Sequence, residues 1–130
     1  MSDKYDDALD HDGHLYHATS EENVESIKIS GIREKSYWAT LDIALYYAGV
    51  VEDEGLKPVL LKVPISIFEE SLLRPDRPGI DEPLTCTLGK SEREVMKEWS
   101  KAKGGWRDSL EIVGSVFYEG AIAFSEITIA

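Results

Sequence analysis

The stretch His14-Leu15-Tyr16-His17-Ala18-Thr19-Ser20-Glu21-Glu22-Asn23-Val24-Glu25-Ser26-Ile27-Lys28-Ile29-Ser30-Gly31-Ile32 places two kinds of element back to back. His14 to Ala18 reads as a short strand. Thr19 and Glu22 then have capping-box spacing, in which hydroxyl and carboxylate each accept from the other's otherwise orphaned backbone N–H. The pattern predicts a helix with Val24 and Ile27 on its buried side. Gly31 is its natural stop, because a left-handed C′ residue costs glycine little, and Ile32 supplies the apolar contact that accompanies such a cap.

Working outward, Tyr37-Trp38-Ala39 is a second strand, and Thr40 caps a second helix running to Ala48. On that helix Ile43 and Tyr47 share one face, and Ala44 and Ala48 the adjacent one. Val59 to Val63, bounded by Pro58 and Pro64, reads as a buried strand, and Ile65 to Leu73 leaves it. Pro75, Pro78, Gly79 and Pro83 predict an irregular stretch. Ser91 and Glu94 form another capping box, opening a helix that buries Val95, Trp99 and Ala102 and stops at Gly104-Gly105. Ser115 to Tyr118 and Ala121 to Phe124 are strand-like. Helices and strands mix without regular βαβ alternation, so the expected class is α+β with a compact, partly antiparallel sheet.

Composition narrows the partners. The chain has 130 residues, 42% of them apolar, with 25 acidic against 14 basic side chains and a net charge of −11. One globular domain over residues 13–130 is expected, preceded by an acidic disordered tail over residues 1–12 that carries five aspartates against one lysine. Binding driven by phosphate neutralisation needs clustered Lys and Arg, so nucleic acid is disfavoured. The one local exception is basic: Lys90, Arg93, Lys97, Lys101, Lys103 and Arg107 point to a partner-selecting helix. The lone Cys86 closes no internal disulfide, which suits a cytoplasmic, reducing setting. No apolar run reaches the length of a membrane span, and Met1 to Asp12 has no signal-peptide core.

Several chemistries are absent from the pattern. His11, His14 and His17 suggest a metal site, but residues three apart on a strand point to opposite faces, so no metal is expected. There is no Gly-x-Ser-x-Gly elbow, Walker loop or Gly-x-Gly-x-x-Gly turn. Cys86 reads as a buried small hydrophobe.

What remains is Leu15-Tyr16-His17-Ala18-Thr19 with its capped helix and Gly31-Ile32, then Tyr37-Trp38-Ala39-Thr40 with Ala44-x-x-Tyr47-Ala48, and last Val116-Phe117-Tyr118-Glu119-Gly120-Ala121-Ile122 ahead of Ser125-Glu126-Ile127. In order and spacing this resembles the ADP-ribosyltransferase superfamily, particularly its small bacterial and phage members of the His-Tyr-Glu kind. There a Tyr-His-Gly-Thr strand precedes a helix and Gly-Leu or Gly-Ile, a second aromatic strand precedes a helix with Ala-x-x-Tyr-Ala, and a late strand supplies a glutamate. The resemblance covers Leu15 to Ala48 well and the C-terminal segment more loosely.

The resemblance implies a split-sheet fold with short flanking helices and an NAD-dependent mono-ADP-ribosyltransferase acting on a protein target, in the manner of a toxin or phage effector. His17 would hold the adenosine-side ribose. Ala18 stands where the family has glycine, and its backbone, with Thr19 beside it, would hold the nicotinamide carboxamide. Tyr37 would be the motif tyrosine and Tyr47 the stacking platform. Glu119 is the first choice for the catalytic carboxylate, with Glu126 and Glu111 as substitutes. Bond breaking at the sugar develops positive charge there, which a pre-organised carboxylate stabilises. Tyr37 and Tyr47 also suit an ordinary core, and Glu119 a turn. Two other readings stay open: a related RNA 2′-phosphotransferase, disfavoured by Arg33 being the only arginine of the first half, and a catalytically silent interaction or inhibitor protein with a basic partner.

Overall fold

A computed structural model describes residues 13–81 and 91–130. The expected acidic tail, His11, Pro83 and Cys86 lie outside the described residues. Strand β1 (His14–Ser20) runs into helix α1 (Glu21–Ser30), followed by β2 (Ser36–Ala39), α2 (Leu41–Asp53) and β3 (Pro58–Pro64). Two 3-10 turns, Ile65–Ile67 and Glu70–Leu72, lead to β4 (Leu73–Pro75) and the short α3 (Arg77–Asp81). Then come α4 (Glu92–Lys101), α5 (Trp106–Val113), β5 (Ser115–Tyr118) and, after a 3-10 turn at Phe124–Glu126, β6 (Thr128–Ile129).

The strands form one six-stranded sheet in the order β4-β5-β2-β1-β3-β6. Every described pairing is antiparallel, where only partial antiparallel pairing was expected. The class is α+β, as the mixed pattern predicts. Pairing is uneven along the sheet. β1 and β3 pair over their full length, from His14 opposite Pro64 to Ser20 opposite Pro58. β2 and β5 pair fully as well, from Ser36 opposite Tyr118 to Ala39 opposite Ser115. Between these two halves, β1 and β2 share a single register pair, Tyr16 opposite Ala39. The following positions in that register would set His17 opposite Trp38 and Ala18 opposite Tyr37, and neither pair is made. The sheet is pinched at its middle.

The main core covers one sheet face. Leu15, Trp38, Leu61, Val63, Leu110 and Val116 are buried there, with Trp38 edge-on to Phe68 at 5.3 Å and Phe68 edge-on to Tyr118 at 4.8 Å between ring centroids. Such edge contacts suit the positive rim and negative face of aromatic rings. The Trp38 indole N–H is satisfied by the Ser36 hydroxyl at 2.8 Å. On the other face Tyr16 and Ala39 pack against Ile43 and Ala44 of α2. A third cluster joins Ile80, Val95, Ile112 and Val113 of α3, α4 and α5.

The local signals fare unevenly. The helix after β1 forms, but Ser20, not Thr19, is its N-cap, accepting from the Asn23 N–H at 3.3 Å. Strand pairing continues to Ser20, so the cap falls one residue later. Gly31 ends the helix at φ 71°, and a Cβ there would lie 2.4 Å from the Ile122 carbonyl oxygen. The bridge between Ile32 and Ile122 demands that approach. Thr40 stands at the N-cap of α2 but makes no side-chain cap bond, and the helix runs on to Asp53 rather than ending at Ala48. The Ser91–Glu94 capping box is complete in both directions.

Three expectations need correction. Within the expected irregular stretch, the described residues up to Asp81 form β4 and α3: Pro75 sits on an edge strand, where its missing N–H costs no pairing. Residues 106–113, for which no element was expected, form α5, opened by the Asp108 carboxylate accepting from the Gly104 and Gly105 N–H groups. Ala121 to Phe124 forms no strand beyond the Ile122 bridge, and β6 takes the sheet edge instead.

Candidate functional site

At the pinch, His17 occupies the gap between the half-sheets. Its Nδ1 lies 2.8 Å from the Tyr37 carbonyl oxygen. A carbonyl only accepts, so Nδ1 carries the proton and Nε2 is left as the acceptor of the neutral ring. Burial lowers the His17 pKa below its usual value, a pull only partly opposed by that hydrogen bond. The ring therefore stays neutral at neutral pH. It leans on Trp38, with centroids 5.3 Å apart. The bond substitutes for strand pairing that stops at this level, which ties the imidazole's tautomer to the sheet's geometry.

Two hollows meet at His17 and Tyr37. The first, of about 470 Å³, lies toward α2 and is walled by Ala18, Ala39, Tyr47, Val51, Asp76 and Ser115, among others. The second, of about 370 Å³, lies toward α1 and is more polar, with Thr19, Asn23, Ser26, Arg33 and Lys35 on its walls. Both volumes are ordinary for small-ligand pockets. Tyr37 is half-exposed, with its ring 5.0 Å from that of Phe117. Tyr47 is also half-exposed, and its phenol pKa is raised, first by burial and then by the negative charge of Asp76. Both tyrosines thus line the first hollow with part of each ring open to solvent.

Of the residues that the resemblance implies, some share a hollow and some do not. His17, Ala18, Tyr37 and Tyr47 all line the first hollow, while Thr19 lines the second. They come from β1, β2 and α2, brought together by the Tyr16–Ala39 pair and the packing of α2 on it. The glutamates are elsewhere. Glu119 pairs with Arg74 at 2.9 Å, Glu126 is exposed in the final 3-10 turn, and Glu111 is exposed on α5. None of the three lines either hollow.

The acid that does line the first hollow is Asp76, 5% exposed. Sequence reasoning passed over it because Pro75-Asp76-Arg77-Pro78 reads as a turn. One signal was present: Asp ahead of a first-turn proline is a helix-start pattern, and the Asp76 carbonyl does accept from the Ile80 N–H at 3.0 Å. His14 and His17 lie three apart on β1, and no group of three potential metal ligands occurs among the described residues. Among the described residues no helix is long and apolar enough to cross a membrane.

Compared with protein-family models, curated proteins and solved structures, the chain matches none.

Proposed function

We propose that the cleft binds NAD⁺ and that the protein is a mono-ADP-ribosyltransferase of the ADP-ribosyltransferase fold, acting on a protein target. The observation that carries this reading is the His17 imidazole, fixed in one tautomer by the Tyr37 carbonyl where an aromatic hollow meets a polar one. A dinucleotide has two unlike ends joined by an anionic linker, and the paired hollows suit that asymmetry. Tyr47 offers a planar ring with a stacking face. At Ala18, where the β1–β2 pairing has stopped, the backbone would meet a carboxamide, although the Ala18 methyl leaves less room than glycine would. Arg33 and Lys35, on the wall of the second hollow, supply positive charge for a phosphate linker.

The bound dinucleotide would supply an activated sugar–nitrogen bond. The chain's part is to hold the adenosine-side ribose through His17, keep the leaving ring against Tyr47 and present negative charge to the reacting sugar. A target nucleophile bonds to the sugar carbon as nicotinamide leaves with the bond's electron pair, and the nucleophile's proton passes to solvent. The net charge of −11, with Asp42, Glu52, Asp53 and Glu54 exposed on and just beyond α2, favours a basic target protein.

A second reading, the silent interaction module, draws on one specific observation: Glu119 is held by Arg74 outside both hollows. Calorimetry with NAD⁺ and chromatographic measurement of nicotinamide release decide between them. The transferase reading expects binding and slow release, both impaired in His17→Ala. Binding without release, even with a basic acceptor protein present, would favour the silent module; absence of binding would overturn the cleft assignment itself.

A further inference from the structure

We propose that Asp76, and not a glutamate from the C-terminal segment, is the carboxylate that faces the reacting sugar, with Ser115 as its positioning residue. This inference rests on the NAD⁺ reading above.

The sheet register carries the argument. Pro75 stands opposite Val116, so Asp76, one residue on, reaches the level of Ser115. Ser115 stands opposite Ala39, and Ala39 opposite Tyr16. Asp76, Ser115, Ala39 and Tyr16 thus form one row across the sheet, and all four line the first hollow beside His17 and Tyr47. Glu119 is four residues from Ser115, roughly 13 Å along extended chain.

Asp76 is also held as a working group is held. The Ser115 hydroxyl donates to its Oδ2 at 2.6 Å. The Asp76 N–H donates to the Ser109 hydroxyl oxygen at 2.9 Å, and the Ser109 hydroxyl donates to the Ser115 carbonyl at 2.7 Å. Ser109, 0% exposed, thereby fastens the backbones on both sides of the carboxylate–hydroxyl contact. A short hydrogen bond to an ionised acceptor is stronger than a neutral one and restricts its orientation. Asp76 and Tyr47 line the same hollow, and after burial the charge of Asp76 is the next cause that raises the Tyr47 pKa. A sugar that becomes electron-poor as its bond to the leaving ring breaks would sit between them.

The role is electrostatic. In the simplest reaction, hydrolysis, the sugar–nitrogen bond breaks and its electron pair leaves with nicotinamide. Water then bonds to the sugar carbon and gives its proton to solvent, so Asp76 is neither consumed nor protonated. Loss of a pre-organised charge of this kind typically slows reaction by ~10²–10³-fold.

The test uses the full chain with NAD⁺ and reads binding by calorimetry and nicotinamide release by chromatography. Asp76→Asn should bind NAD⁺ within about threefold of wild type and release nicotinamide about 100-fold more slowly. Ser115→Ala should slow release by about tenfold with affinity unchanged, and Ser115→Thr should restore it; this pair decides the matter if Asp76→Asn melts early. Independently of activity, Asp76→Asn should lower the pH at which Tyr47 ionises, followed by phenolate absorbance against a Tyr47→Phe blank. Release undiminished in Asp76→Asn, or lost instead in Glu119→Gln, would overturn the Asp76 assignment while leaving the NAD⁺ reading intact. A wild-type chain that neither binds nor cleaves NAD⁺ would remove both.

Discussion

The two ends of β5 carry acidic groups in opposite circumstances. At the Ser115 end, Asp76 is buried and bonded to the Ser115 hydroxyl, with Ser109 behind both. At the other end, Glu119 forms an ion pair with Arg74, its side chain 40% exposed. A buried carboxylate is expensive to desolvate and persists only where hydrogen bonds hold it. An exposed ion pair gains little, since solvent screens it and two long side chains must be ordered. The carboxylate at the buried end is therefore the more firmly held of the two. The contrast explains why the acid nearest the expected motif is not the acid that lines the cleft.

The largest expected effect that sharpens this contrast is on stability at the buried end. Ser109→Ala removes the partner of the Asp76 N–H and of the Ser115 carbonyl together, and leaving two buried groups unpaired costs roughly 2–4 kcal/mol. Urea unfolding should show it as a lowered midpoint at unchanged slope; a change below about 0.5 kcal/mol would mean the network is not holding that end. Next comes Gly114, the residue before Ser115, at φ 77° with its carbonyl accepting from the Thr40 N–H. An alanine Cβ there would meet Ile43 Cγ1 at 2.6 Å. Strain and overpacking should destabilise Gly114→Ala by about 1–3 kcal/mol, and on the proposed function NAD⁺ cleavage should weaken too as Ser115 shifts.

At the exposed end, Glu119→Gln should cost less than about 1 kcal/mol, and the difference should vanish in molar salt. A loss as large as that of Ser109→Ala would erase the distinction between the ends.

The smallest effect concerns pH and the pinch between β1 and β2. His17 resists protonation in the folded state because burial lowers its pKa, whereas the unfolded chain takes up that proton near pH 6.5. The unfolded state then binds more protons, so His17's contribution is fully present above that pH and is lost as pH falls below it. Comparing urea midpoints at pH 7.5 and 5.5, wild type should lose more stability than His17→Gln. Equal losses would show that the ring is not buried neutral against Tyr37.

Local chemistry was the legible part. Ser91 and Glu94 close their capping box within one helical turn, Gly31 stops α1, and the Val59 to Val63 run becomes β3. Helix α5 escaped notice because it starts from Gly105, which offers no hydroxyl, and depends on Asp108 reaching back. β4 and α3 escaped because Pro75 and Pro78 signal a break, while an edge position and a helix's first turn both tolerate proline. In the cleft, His17, Tyr37 and Tyr47 were singled out through the family resemblance of the motifs that carry them, which fall on β1, β2 and α2. Asp76 was not, since its one local signal, an Asp ahead of a first-turn proline, marks a helix start and says nothing of a cleft.

Local pattern and composition carry the strand–helix order from His14 to Val63, the Ser91–Glu94 cap and the charge of −11, because caps, strand alternation and charge act over a few residues or over the whole sum; the His17, Tyr37 and Tyr47 trio came with the family resemblance. Tertiary structure alone decided the pinch between β1 and β2, the hydrogen bond that fixes His17, and which carboxylate enters the cleft. Asp76 and Ser115 are 39 positions apart and meet only because β4 pairs with β5 and α5 packs beside them. A contact at that separation is set by sheet register and packing, which no local run of residues encodes.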